Sequence, residues 1–94
     1  MSDLLDEDEL SNALKKCPEW DYEKDFITRT IEFEEFMEGI DFVSTVGEIS
    51  DEAQHHPEIR LKGTKVVIRL TTEEVGGVSD ADIELAQRID NLVD

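Results

Sequence analysis

The apolar residues of this chain change period along its length. They recur at three- and four-residue spacing, then at two, repeat that cycle, and finish at three and four. Such a rhythm belongs to strand pairs set between helices. The first stripe, Leu10, Ala13, Leu14 and Cys17, predicts a helix from about Asp6 to Lys16. Acids crowd its start and Lys15-Lys16 its end, as the helix dipole favours, and Pro18 stops it. Trp20 and Tyr22 then alternate with charged residues in a short strand. Glu23-Lys24-Asp25 reads as a turn, and Phe26 to Phe33 as the second strand of a hairpin. The pattern leaves open which face of that strand is buried, Phe26/Thr28/Thr30 or Ile27/Arg29/Ile31/Phe33.

A long helix is predicted from about Glu34 to Gln54. Phe36, Met37, Ile40, Val43 and Val46 form one stripe, and Phe42, Ile49 and Ala53 a second. That arc is wider than one core face needs. It suits either a helix laid across a sheet or one that also meets a partner subunit. Gly39 and Gly47 weaken the helix locally. His55-His56-Pro57 should end it, because the residue before proline avoids helical geometry. Glu58 to Lys62 reads as a strand, Gly63-Thr64 as a turn, and Lys65 to Thr72 as a strand with Val66, Ile68 and Leu70 on one face. Glu73 to Val78 is a loop. Ser79 and Asp82 read as the capping box of a last helix carrying Ile83, Leu85-Ala86, Ile89 and Leu92-Val93. The order α-β-β-α-β-β-α predicts an α+β fold, a four-stranded antiparallel sheet with three helices on one face.

Composition narrows the functions such a fold could serve. The 94 residues suffice for one domain, residues 1–94. Acids number 25 against 9 basic residues, a net charge of −16. Nucleic acid and anionic membrane surfaces are therefore disfavoured as partners. No apolar run spans a bilayer and the N-terminus lacks the features of a secretory signal. The single Cys17 forms no internal disulfide, so the expected location is the cytoplasm. Apolar residues make up 38% and are patterned, which confines expected disorder mainly to the first few positions.

Chemistry concentrates at His55 and His56, the chain's two histidines. Imidazole suits proton transfer near neutral pH, and at an unwinding helix end both rings can turn to a common cleft. The plainer reading is a pair of exposed polar residues at a helix C-terminus. Metal binding is disfavoured, since adjacent histidines rarely ligate one ion and no other His or Cys pair is present. Cys17 reads as a packing residue on its helical stripe. Gly76-Gly77 lacks the spacing and lysine of a phosphate loop and more simply allows a turn.

Asp51-Glu52-Ala53-Gln54-His55-His56-Pro57-Glu58 resembles the signature of the pterin-4a-carbinolamine dehydratases. The stretch Thr71-Thr72-Glu73-Glu74-Val75-Gly76-Gly77-Val78-Ser79-Asp80-Ala81-Asp82-Ile83-Glu84-Leu85-Ala86 resembles the family's closing strand, glycine loop and last helix. Trp20 also stands where a tryptophan is usual, so the resemblance covers roughly Trp20 to Ile89. It implies elimination of water from a 4a-hydroxytetrahydropterin to give a quinonoid dihydropterin, with no metal or organic cofactor. His55 and His56 match the paired histidines that would act as acid and base. Asp51 matches an acidic position that orients an imidazole or bonds the pterin, and Gln54, Thr71 and Thr72 fall among the implied substrate contacts. Where the family usually has a third histidine, this chain has Glu73, a candidate catalytic carboxylate. Gly63 and Ile59 stand where aromatic residues are common.

The resemblance implies a reduced pterin as small-molecule partner and a homodimer or homotetramer. The alternative is a non-catalytic pterin-binding or protein-interaction module on the same scaffold. The spread of acid suggests a protein adapted to a salty cytosol, because the Debye length falls to ~3 Å at 1 M salt. Unfolding midpoints measured against KCl should therefore rise into the multimolar range. Equal stability at low and multimolar salt would refute that adaptation.

Overall fold

The first helix begins where Asp6 accepts the backbone N–H of Glu9 and Glu9 reaches back to the N–H of Asp6. This reciprocal pair satisfies donors that a helix N-terminus leaves unbonded. A computed structural model describes residues 4–93, so the disorder expected at the first few residues falls mainly outside it. Helix α1 (Glu7–Leu14) leads into β1 (Asp21–Glu23) and β2 (Phe26–Glu32), then α2 (Phe36–Ala53). Strands β3 (Glu58–Lys62) and β4 (Lys65–Leu70) follow, then a short 3-10 turn at Glu73–Val75 and α3 (Asp80–Val93). The strands form one antiparallel sheet in the order β1-β2-β4-β3, the expected α+β architecture. Among the described residues no helix is long and apolar enough to cross a membrane.

Strand alternation decides the covered face. Val66, Ile68 and Leu70 of β4 are fully buried, as are Ile27 and nearly Ile31 of β2. These residues meet Leu10 of α1, Phe42 and Val46 of α2, and Ile83, Leu85, Ala86 and Ile89 of α3 in one core. The question left open by the pattern is thus settled for Ile27/Arg29/Ile31. Arg29 is accommodated there because its guanidinium pairs with Asp90 of α3, which also accepts the indole N–H of Trp20 at 2.9 Å. Trp20 lies just outside β1 and is buried, whereas Tyr22 within the strand is exposed.

Helix α2 uses its stripes differently from a simple count. Its buried line is Gly39, Phe42, Val46 and Ser50, while Phe36 and Met37 are more than half exposed. Gly39 lies close to β3, since a Cβ there would sit 3.1 Å from Leu61 Cδ1. The glycine that weakens the helix locally thus lets it approach the sheet. Two expected strands are shorter, as are the first two helices at their ends. The fourth strand ends at Leu70 rather than Thr72, and the second ends at Glu32.

Cys17 is fully buried and packs within the core. Burial raises its thiol pKa above the ordinary value, and the negative charge of Asp90 adds to the rise. The folded chain then holds this proton more tightly than the unfolded chain. The linked stability is present below the ordinary value near 9.0 and lost as pH climbs through the folded value. Denaturant unfolding of Cys17→Ala across alkaline pH should show a shallower loss of stability than the parent chain. An unchanged slope would contradict this linkage.

Candidate active site

Helix α2 stops at a glutamine. Gln54 adopts the left-handed conformation with φ 57°, and its N–H donates to Asp51 O at 3.1 Å. The next N–H, that of His55, donates to Ser50 O at 3.0 Å. These two bonds close a Schellman motif, which satisfies the last helical carbonyls. Pro57 therefore does not end the helix, as the sequence suggested. The left-handed residue three positions earlier does so, and Gln54 Nε2 also donates to Asp51 O at 2.9 Å.

Beyond that stop the two histidines diverge. His55 turns inward and its Nε2 hydrogen-bonds Asp82 Oδ1, with the imidazole largely buried and the carboxylate fully so. His56 faces outward, and its Nε2 lies 3.1 Å from Asp51 Oδ1, both side chains being mostly exposed. A carboxylate only accepts hydrogen bonds, so each Nε2 carries the shared proton and each Nδ1 takes no part in that bond. Asp51 thus hydrogen-bonds an imidazole from the last turn of α2. The exposed His56–Asp51 pair contributes little stability.

Asp82 gathers three segments of chain. Its Oδ2 accepts the Thr72 hydroxyl at 2.8 Å and the Ser79 backbone N–H at 2.9 Å, while Oδ1 takes His55. The capping box read at Ser79 is therefore half formed. The Ser79 hydroxyl bonds Thr72 Oγ1 at 2.7 Å, and the Asp82 N–H donates to the Ser79 carbonyl at 3.1 Å. The carboxylate that the sequence assigned to helix capping also fixes a histidine.

A pocket of about 480 Å³ opens beside this network. Its lining brings together Gln54, His55, His56, Thr71, Thr72 and Glu73 from the predicted set. Asp51 stands behind His56 rather than in the lining. Two of the residues expected to contact substrate carry structural bonds of their own. The Thr71 hydroxyl donates to Asp25 O at 2.6 Å, and Thr72 is bound to Asp82 and Ser79. Phe26, Pro57, Glu58, Arg69 and Glu74 complete the wall, and none of these was among the expected site residues. Cross-strand register brings some of them together: Arg69 stands opposite Glu58 on β3 and Thr28 on β2. Among the described residues no cluster of three His, Cys, Asp or Glu side chains could hold a metal.

A fold of this order with paired histidines on one pocket defines a class that comparison with known proteins makes specific. The family model for pterin 4 alpha carbinolamine dehydratase matches residues 3–92, and the chain belongs to that family. A Halobacterium salinarum protein named for pterin-4-alpha-carbinolamine dehydratase is 48% identical over 91 residues, covering 97% of this chain and 98% of its own. A Natronomonas pharaonis protein named likewise is 44% identical over 94 residues, with both chains fully covered. The structure of a transcriptional coactivator/pterin dehydratase from Brucella melitensis superposes with a TM-score of 0.91 at 26% identity, covering 96% of this chain and 98% of that one. A pterin dehydratase-like RuBisCO assembly factor of the alpha-carboxysome shares the fold at a TM-score of 0.64 and 23% identity, over 78% and 84% of the two chains.

Removing the Asp82 carboxylate leaves the buried Thr72 hydroxyl and Ser79 N–H without their acceptor. Asp82→Ala should lower the unfolding free energy by about 2–4 kcal/mol. Denaturant titration checks this, and a loss below about 0.5 kcal/mol, the scale of an ordinary surface change, would contradict the central role of the carboxylate.

Proposed function

We propose that this chain dehydrates a 4a-hydroxytetrahydropterin to a quinonoid dihydropterin. The observation that carries the reading is that His55, His56 and Glu73 line one pocket, with His55 held by a buried carboxylate. The elimination needs an acid to protonate the departing hydroxyl at C4a and a base to take a proton from a ring nitrogen. The electron pair left on that nitrogen forms the new double bond to C4a, and water departs. The two imidazoles supply the acid and the base, since imidazole can serve as either partner in proton transfer. Asp82 and Asp51 hold the rings by Nε2, which leaves Nδ1 of each to exchange protons. Glu73 is a third proton-transfer group where the family usually carries histidine. Gln54, Thr71 and Thr72 contribute polar contacts around the ring.

A second reading, a binding module without turnover, draws on two observations. Glu73 replaces a family histidine, and α2 exposes Phe36 and Met37. Those same apolar residues favour a homodimer or homotetramer under either reading.

Chemically generated 4a-hydroxytetrahydropterin, supplied in high salt, tests the reaction. His55→Ala and His56→Ala should each reduce kcat by about 10²–10⁴-fold, the usual contribution of general acid–base catalysis. Full rate in both variants would remove the histidines from the mechanism. Calorimetric binding of a reduced pterin without turnover, with activity created by Glu73→His, would favour the binding module.

A further inference from the structure

Among the described residues, no carboxylate engages the cation Arg69. It sits on β4 in the pocket wall, on the sheet face opposite the one that buries Val66, Ile68 and Leu70. Its guanidinium carbon lies 4.8 Å from the centre of the Phe26 ring, so packing against an aromatic face holds the group in place. Its Nε is buried without a hydrogen-bond partner. The nearest candidate acceptor by register is Glu58, directly opposite on β3. That carboxylate is instead engaged by Arg60 Nε at 2.7 Å. Among the described residues Arg69 forms no ion pair, although the chain carries 25 acids and only 9 basic residues.

A guanidinium positioned by stacking and left without a protein carboxylate is suited to a ligand. Its planar fork matches a carboxylate or phosphate in two parallel hydrogen bonds, which no neutral hydroxyl reproduces. The net charge of −16 does not forbid a single anionic group there. The β3–β4 hairpin carries Arg60, Lys62, Lys65 and Arg69 against the one acid Glu58, which is already paired. Register and strand alternation place all five on the same uncovered face of the sheet. The hairpin face is thus locally basic, while the pocket wall itself also carries Glu73 and Glu74.

We propose that Arg69 is a specificity-determining residue, and that the pterin taken by this pocket carries an acidic group, phosphate or carboxylate, on its side chain. This rests on the pterin reading above and adds the charge of the substituent. The histidines act on the ring, while Arg69 reads the group that projects from it over the open sheet.

Calorimetric binding of dihydroneopterin and of its monophosphate ester, at one fixed KCl concentration, separates ring from substituent. The ester should bind about tenfold or more tightly than the parent, the scale of a charge-assisted bidentate contact. In Arg69→Gln that ratio should fall to near one. In Arg69→Lys, which keeps the charge and loses the fork, it should fall part way. Should Arg69→Gln fail to fold, the Arg69→Lys ratio decides, and a value equal to that of the parent chain overturns the assignment. Equal affinity of the parent chain for both ligands would overturn the proposal and leave the pterin reading intact. A preference that survives in both variants would remove Arg69 from it. Binding of neither ligand would overturn both readings together.

Discussion

A carboxylate shut away from water must find donors, and those that Asp82 finds organise half of the molecule. Taking a carboxylate out of water costs several kcal/mol unless hydrogen bonds replace its hydration. Asp82 is fully buried, and its partners come from the stop of α2, the end of β4 and the residue before α3. The α2–β3 connection and both ends of the β4–α3 connection therefore share one anchor. The glycine loop between them is closed from both sides. Thr72 pairs with Gly77, and Ser79 pairs with Leu4 of the N-terminal segment. Leu4 lies so close that a Cβ at Gly77 would approach its Cδ1 to 2.6 Å. A side chain at Gly77 would therefore displace Leu4, whereas the first glycine, Gly76, takes the left-handed conformation with φ 74°.

Much of the architecture was legible because strand alternation has one physical cause. A sheet covered on a single face buries every second residue, and Val66, Ile68 and Leu70 announced this without ambiguity. Helix α2 was less legible because it carries more apolar residues than its core face uses. Only three-dimensional packing separates Phe42 and Val46 from Phe36 and Met37. The stop at Gln54 left no sequence signal, since left-handed caps are usually glycine and a proline stood nearby to take the credit. The histidines were found from their chemistry and family resemblance. Asp82 was visible as a helix-capping acid, and nothing local in its segment reveals a histidine 27 residues earlier in the chain. Phe26 and Arg69 were missed for a related reason. Their proximity arises from the β2–β4 pairing, a contact between segments distant in sequence.

The acids divide into two physical populations. Most lie on the surface, where their mutual repulsion weakens as salt shortens its range. Asp82 and Asp90 lie inside, and each is held by named donors from other elements. Screening reaches these two much less. A change of salt therefore acts on the envelope of the protein while leaving its internal polar anchors largely untouched.

Trp20 is the sole tryptophan in the chain. Its indole is buried and bonded to Asp90, on the part of α3 that also grips Arg29 of β2. Asp90 lies eight residues beyond Asp82 on that helix, about 12 Å along its axis at 1.5 Å per residue. The chain's own ultraviolet fluorophore is thus mounted on the far seam of the domain, outside the pocket wall. Its emission is a gauge of whether the last helix is seated against the sheet, and a poor witness to what occupies the cleft beside His55.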